Sequence, residues 1–219
     1  RSISEIEIDG VTLPNVVSTY NFDTDGEHTV KFTLIDQTTI GDELFDDCGD
    51  LIRVTIPNGI TSIGEAVFYG CYGLTSITIP SSVTSIGQNA FGQCDGLTSI
   101  SIPSGVTSIE YSTFYQCTGL ISIDIPSGVT SIGQGAFQSC ESLISIDIPS
   151  GVTSIGDRAF ESCTGLTSII CNAVVPPTLG EGVFEDTDDC PIYVPAASVD
   201  TYKGAEGWSE YESRIEAIS

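Results

Sequence analysis

The sequence predicts a strand-rich α/β solenoid. Its shape is a shallow horseshoe of about seven stacked coils, with an N-terminal β-hairpin cap and a C-terminal helical cap. Three observations predict it. Cys48, Cys71, Cys94, Cys117, Cys140 and Cys163 recur at a constant interval of 23 residues. Phe45, Phe68, Phe91, Phe114, Phe137 and Phe160 keep the same interval, and Phe184 arrives one residue late. Each interval also repeats a short alternation of Ile with Ser or Thr. A fixed period of roughly 20–50 residues marks a repeat architecture, in which one unit cannot bury its own core and stacked units can.

Residues 1–36 form the N-terminal cap. Asp9-Gly10 lies between Ile6/Ile8 and Val11/Leu13, and Asp25-Gly26 lies between Tyr20/Phe22 and Val30/Phe32/Leu34. Asp-Gly flanked by alternating apolar residues is a strong local signal for a hairpin. Two hairpins are therefore expected here.

The solenoid spans 37–195. Its six full units are 37–59, 60–82, 83–105, 106–128, 129–151 and 152–174, followed by a degraded seventh from about Thr178 to Pro195. The third unit explains the rest. Leu97, Ile100 and Ile102 point inward while Ser99 and Ser101 alternate outward, the period-two signature of a half-buried strand. Pro103 removes a donor and stops the strand. Ser104-Gly105 supplies a turn. Val106 and Ile109, which open the next unit, suggest a second short strand. Ala90, Phe91 and Cys94 stand at helix-like spacing, so a short helical turn is expected over 87–94.

Residues 196–219 form the C-terminal cap, which closes the same continuous domain. Ser198 is placed to cap a short helix containing Tyr202, and Gly207 to end it. Ser209 and Glu212 have the spacing of a capping box for a last turn. Tyr202, Trp208, Tyr211 and Ile215 are the expected apolar lid.

The recurring Ile-Pro-x-x-Val-Thr-Ser-Ile-Gly-x-x-Ala-Phe-x-x-Cys-x-x-Leu, as in Ile79 to Leu97, resembles the BspA-like leucine-rich repeats. These are also called the Treponema pallidum type. The resemblance covers roughly 37–195. The tail 190–215 resembles the C-terminal cap of such proteins, and 25–34 resembles their N-terminal entry. The resemblance implies a right-handed leucine-rich-repeat solenoid from a bacterial surface protein. It also implies export and a signal or lipid anchor outside this sequence, with adhesion to host matrix proteins or other bacteria as the associated role.

Charge narrows the partners. Six Lys and Arg stand against 30 Asp and Glu, a formal net charge of −24. Such a chain repels phosphate backbones and anionic lipid, so no nucleic-acid partner and no direct membrane insertion are expected. The ends carry more acid for their length than the middle, which favours solubility and a monomer by opposing end-to-end stacking, with a specific basic partner as the alternative.

The residues that might carry chemistry fit structure better. Zinc sites use Cys pairs two to four residues apart, often with His. Here the Cys interval is 23 and the one His is His28. No metal or other cofactor is expected. Equivalent Cys in stacked coils point in parallel, ~5 Å or more apart at Cβ, against about 3.8 Å in a disulfide. The six are read as buried thiols acting as small apolar residues. Cys171 takes an inward strand position, and Cys190 is off the ladder, so a Cys171–Cys190 bridge stays open as an alternative. Asp23/Asp25/Glu27 and Glu185/Asp186/Asp188/Asp189 do not fit the twelve-residue calcium loop. No enzyme is expected: His28 sits in the entry hairpin, and paired carboxylates such as Asp124 and Asp147 would lie on an open sheet that excludes no water.

Binding surfaces remain. Two outward rows line the main sheet: Arg53, Ser76, Ser99, Ser122, Ser145 and Ser168, then Thr55, Thr78, Ser101, Asp124, Asp147 and Ile170. The second row drifts from hydroxyl to acid. On the other side, Tyr69 and Tyr115 hold one repeat position two coils apart, and Tyr72 and Tyr111 lie in the same segments. Either these rings lie flat and cover core atoms, or they form an interface, where Tyr is enriched. The candidate ligand-binding residues are Tyr69, Tyr72, Tyr111, Tyr115, Asp124 and Asp147. The expected role is a non-catalytic cell-surface adhesion module for a protein ligand. The alternatives are a passive spacer and a glycan-binding module.

Overall fold

The computed structural model describes residues 3–15, 26–34 and 38–218. Within them the chain winds into the expected solenoid. Every coil carries a short strand, a turn face and a longer strand.

The short strands are Thr39–Ile40, Ser62–Ile63, Ser85–Ile86, Ser108–Ile109, Ser131–Ile132, Ser154–Ile155 and Thr178–Leu179. The longer strands are Arg53–Thr55, Ser76–Thr78, Ser99–Ser101, Ser122–Asp124, Ser145–Ile148, Ser168–Cys171, Ile192–Val194 and Ile215–Ala217. Strands of neighbouring coils run alongside one another in short parallel sheets, and within each sheet they pair in register, as Ser122 with Ser99 and Asp147 with Ile170. Period-two alternation drives this: Ile100, Ile123, Ile146 and Ile169 are buried, while Ser99, Ser122 and Ser145 face solvent.

The core is a set of columns. Seven Phe rings stack along the axis, with successive centroids 5.2–5.7 Å apart from Phe45 to Phe184 and planes within 13°. Beside them run Leu74, Leu97, Leu120, Leu143 and Leu166, all buried. All eight cysteines are free thiols, and all but Cys48 are buried. Cys48 is the exception because it occupies the first rung, with only one coil stacked against it.

The expected helical turn over 87–94 is not there. In its place each full coil makes two tight turns, because two positions adopt the left-handed conformation. In the third coil these are Asn89, with φ 54°, and Gln93, with φ 59°. Gly135 and Gly70 occupy equivalent positions in other coils. Left-handed residues four apart break a helix. They also turn backbone groups toward the next coil. Phe45, Phe68, Phe91, Phe114, Phe137 and Phe160 each donate their N–H to a carbonyl of the following coil, at 2.8–3.0 Å. The turn face is thus a continuous hydrogen-bonded seam. Close stacking needs glycine at Gly119, where a Cβ would lie 2.1 Å from the Asp95 carbonyl oxygen.

At the N-terminal end, Ile3–Ile8 pairs antiparallel with Val11–Thr12 across Asp9-Gly10, as expected. Ile3–Ile8 also pairs with Val30–Leu34. The first arm of the second expected hairpin, with Tyr20, Phe22 and Asp25, lies outside the described residues, as does Asp23. Phe32 meets Phe45 edge-on at 5.0 Å, which joins the cap to the Phe column.

At the other end Trp208, Tyr202 and Ile215 are buried and close the column, with Trp208 5.8 Å from Phe184. Tyr211 packs edge-on to Phe184 at 5.3 Å. The helix is Val199–Gly204, but the capping differs from expectation. The Ser198 hydroxyl donates to the Val174 carbonyl at 2.8 Å instead of capping the helix. Ala205, not Gly207, ends that helix. Gly207, with φ 78°, opens a 3-10 segment over Trp208–Arg214, and Ser209 and Glu212 form no capping box there. For Ser198 the tertiary partner outcompetes the local one.

Candidate functional site

The six candidate residues fall on two separate faces. Asp124 and Asp147 stand exposed on the longer-strand face of coils four and five. Their strands lie side by side, and the two carboxylates border an open depression of about 220 Å³, also lined by Ile125, Ser127 and Pro149. Asn172 steers Asp147: its amide nitrogen donates to the Asp147 carboxylate and, at 3.2 Å, to the Ile148 carbonyl. Above Asp147 in register come Ile170, then Tyr193, then Glu216. The loop after Ser168–Cys171 presents Val174 and Val175, which are 68% and 76% exposed. This face therefore combines acid with exposed apolar surface.

The tyrosines are on the turn face. Tyr72 and Tyr111 are exposed, and Tyr69 and Tyr115 are half-buried. Tyr69 packs closely on Gly92, the equivalent residue of the intervening coil: a Cβ on Gly92 would be 2.7 Å from its Cδ2. Burial pushes the Tyr69 hydroxyl above the usual phenol range, and the nearby Tyr115 and Tyr72 add to it. Tyr69, Tyr72 and Tyr115 thus form one group. The Tyr72 hydroxyl donates to Gln93 Oε1 at 3.0 Å, and Gln93 Nε2 donates to Gln116 Oε1 at 3.0 Å. Gln93 and Gln116 were not singled out from the sequence. Their signal is two amides at one repeat position in successive coils.

The turn-face thiols also do more than fill space. Cys71, Cys94, Cys117, Cys140 and Cys163 each donate to the Phe carbonyl of the preceding coil, at 3.0–3.2 Å. The open alternative of a Cys171–Cys190 bridge is not adopted. Cys171 instead pairs with the Tyr202 hydroxyl at 3.2 Å, and Cys190 lies 3.4 Å from Arg214. Among the described residues, no group of three or more His, Cys, Asp or Glu is arranged to hold a metal. No helix among them is long and apolar enough to cross a membrane.

A family model described as BspA type leucine rich repeat region matches six copies over residues 38–167. The chain belongs to the BspA-type leucine-rich repeat family. The leucine-rich repeat protein of Treponema pallidum is similar in structure, with 30% identity and a TM-score of 0.66, over 70% of this chain and 72% of that one. A leucine-rich repeat protein from Bacteroides ovatus shows 24% identity and a TM-score of 0.46, over 83% of this chain and 58% of that one. Among curated proteins, none matches the chain. The BspA-type repeat accounts for the solenoid and its columns. Leucine-rich repeats are in general protein-interaction modules, since a stacked core leaves the outward positions free to vary.

Proposed function

We propose that this BspA-type protein is a non-catalytic adhesion module of a bacterial cell surface, binding a protein ligand. One observation carries the reading. Inward positions keep Phe, Leu, Ile and Cys from coil to coil, while outward positions differ. Along one row of the longer-strand face, Thr55, Thr78 and Ser101 give way to Asp124, Asp147, Ile170 and Tyr193. The fold does not need that change, because all of these point away from the core.

The ligand expected on this face carries Lys or Arg beside apolar side chains. Asp124 and Asp147 attract the cation across the depression, and Ile170, Tyr193, Val174 and Val175 supply apolar area. The net charge of −24 steers a basic partner toward the surface.

The test is binding of the intact chain to immobilised host matrix proteins and bacterial surface proteins. A captured ligand should bind at least about tenfold more weakly to Asp124→Lys/Asp147→Lys and lose affinity with added salt. A blank array sinks the reading in favour of a passive spacer. Unchanged affinity in the folded double variant removes the site.

A further inference from the structure

We infer that the turn face of coils two to four binds a neutral polysaccharide, at a site independent of the proposed protein surface. Three observations converge on it. The first is aromatic. One edge of the Tyr69 ring rests against Gly92, and Tyr115 holds the same repeat position two coils further on from Tyr69. Two coils place these rings about 10 Å apart along the axis, at the ~4.8 Å strand spacing. The exposed part of a half-buried tyrosine ring can stack on the C–H face of a sugar, and the phenol oxygen stays available for hydroxyls. The missing Cβ of Gly92 leaves the room that the Tyr69 ring occupies.

The second observation is the amide relay. Tyr72 and Gln93 are tied by hydrogen bonds that end on Gln116, whose Nε2 has no protein acceptor among the described residues. The relay removes rotamer freedom before any ligand arrives. An amide both donates and accepts, as a sugar hydroxyl does, which suits it to neutral hydroxyl-rich chains.

The third is the charge boundary. The repeat position of Tyr69 and Tyr115 is Asp46 in coil one and Glu161 in coil six. The position of Gln93 and Gln116 is Asp47 in coil one and Asp186 in coil seven. At both positions coils two to five carry only Tyr, Gln, Ser or Gly. In so acidic a chain, this is a neutral aromatic and amide patch with carboxylates at both ends. Asp95 and Glu141 border it at the side, at the repeat position of Tyr72. That rim repels anionic polysaccharides.

The experiment is affinity electrophoresis and titration of the intact protein with glycogen, mannan, xyloglucan and mixed-linkage glucan, beside heparin and hyaluronan. At least one neutral polysaccharide should bind, and heparin and hyaluronan should not. Tyr69→Ala/Tyr115→Ala should weaken binding at least about tenfold. Tyr69→Phe/Tyr115→Phe should retain most of it, because the ring faces remain. Gly92→Ala should lower affinity with both tyrosines intact, because its Cβ tilts the Tyr69 ring. Asp124→Lys/Asp147→Lys should bind the polysaccharide as the parent does, which separates this site from the protein surface. The proposal is overturned if no neutral polysaccharide binds, or if binding is undiminished in the folded Tyr69→Ala/Tyr115→Ala variant. It is equally overturned if that variant loses only a protein ligand.

Discussion

The Cys117 thiol donates to the carbonyl oxygen of Phe91, 3.0 Å away in the preceding coil, and that oxygen also accepts the backbone N–H of Cys94 at 3.3 Å. The same thiol-to-Phe link repeats along the spine. It explains why the repeat keeps Cys where Ala or Val would also be apolar. Cys117→Val retains a small apolar side chain and removes the donor, whereas Cys117→Ala also removes volume. We expect Cys117→Ala to lower unfolding stability by about 1–2 kcal/mol, and Cys117→Val to recover only part of it. Urea unfolding followed by circular dichroism measures both. A Cys117→Val variant as stable as the parent would show that the thiol bond contributes nothing.

The buried thiols also make stability depend on alkaline pH. Burial pushes Cys71 and Cys117 up to about 12, and raises Cys94 and Cys140 as well. An unfolded thiol ionises near 9. Above that pH the unfolded chain releases protons that the folded chain keeps, so stability falls as pH rises. Below it these groups leave stability flat. Each thiol contributes a slope of about 1.4 kcal/mol per pH unit between its two pKa values. The urea midpoint should therefore drop steeply from pH 9 to 11, and less so in Cys94→Ala/Cys117→Ala. A parent profile that stays level to pH 11 contradicts this. Thiol titration gives a companion check: Cys48 should react at once in the folded protein, and all eight cysteines after unfolding without reductant.

Ala66 sits at φ 50°, where equivalent residues include Gly135 and Gly182. A non-glycine residue there bears a left-handed penalty of roughly 1 kcal/mol, offset in part by the greater freedom glycine has when unfolded. Ala66→Gly should stabilise the protein by up to about 0.5–1 kcal/mol. Gly119→Val should do the opposite by several kcal/mol, because its side chain enters the Asp95 carbonyl. Thermal melting of the two variants tests both signs. Destabilisation by Ala66→Gly would mean that the methyl group packs more than the backbone strains.

Arg214 is buried with no carboxylate partner among the described residues. Its guanidinium donates to the Cys190 carbonyl at 2.9 Å and the Thr187 hydroxyl at 2.8 Å, and lies 5.4 Å from the Tyr211 ring. It ties the acidic loop of coil seven to the lid. Arg214→Met strips those acceptors and should destabilise the lid by about 2–4 kcal/mol. Arg214→Lys should rescue little, since an ammonium cannot reproduce the fork. Trp208, the one tryptophan, reports the outcome: its emission should shift red at lower urea in both variants. Coincidence of both with the parent would make Arg214 dispensable.

Much of this architecture is legible in the sequence, for one physical reason. Stacked coils give every repeat position the same neighbours, so Phe, Cys and Leu recur where the environment recurs. The columns, the placing of Asp124 and Asp147 on adjacent coils, and the shared repeat position of Tyr69 and Tyr115 all follow from counting. The turn face does not. Ala90, Phe91 and Cys94 have helical spacing, and the left-handed Asn89 and Gln93 that overrule it are set by carbonyls of the next coil. Ser198 reads as a helix cap, but its hydroxyl finds Val174. Arg214 has no repeat partner to advertise its role.

The amino-acid order by itself determined a periodic, acidic solenoid with a BspA-type repeat, a Phe and Cys spine and a Trp lid, because identical spacing must place like side chains over like. Only the tertiary structure decided which groups hydrogen-bond across coils, where the tyrosine rings lie and how the ends are tied. Those choices are made between segments about 23 or more residues apart, by geometry that no local pattern records.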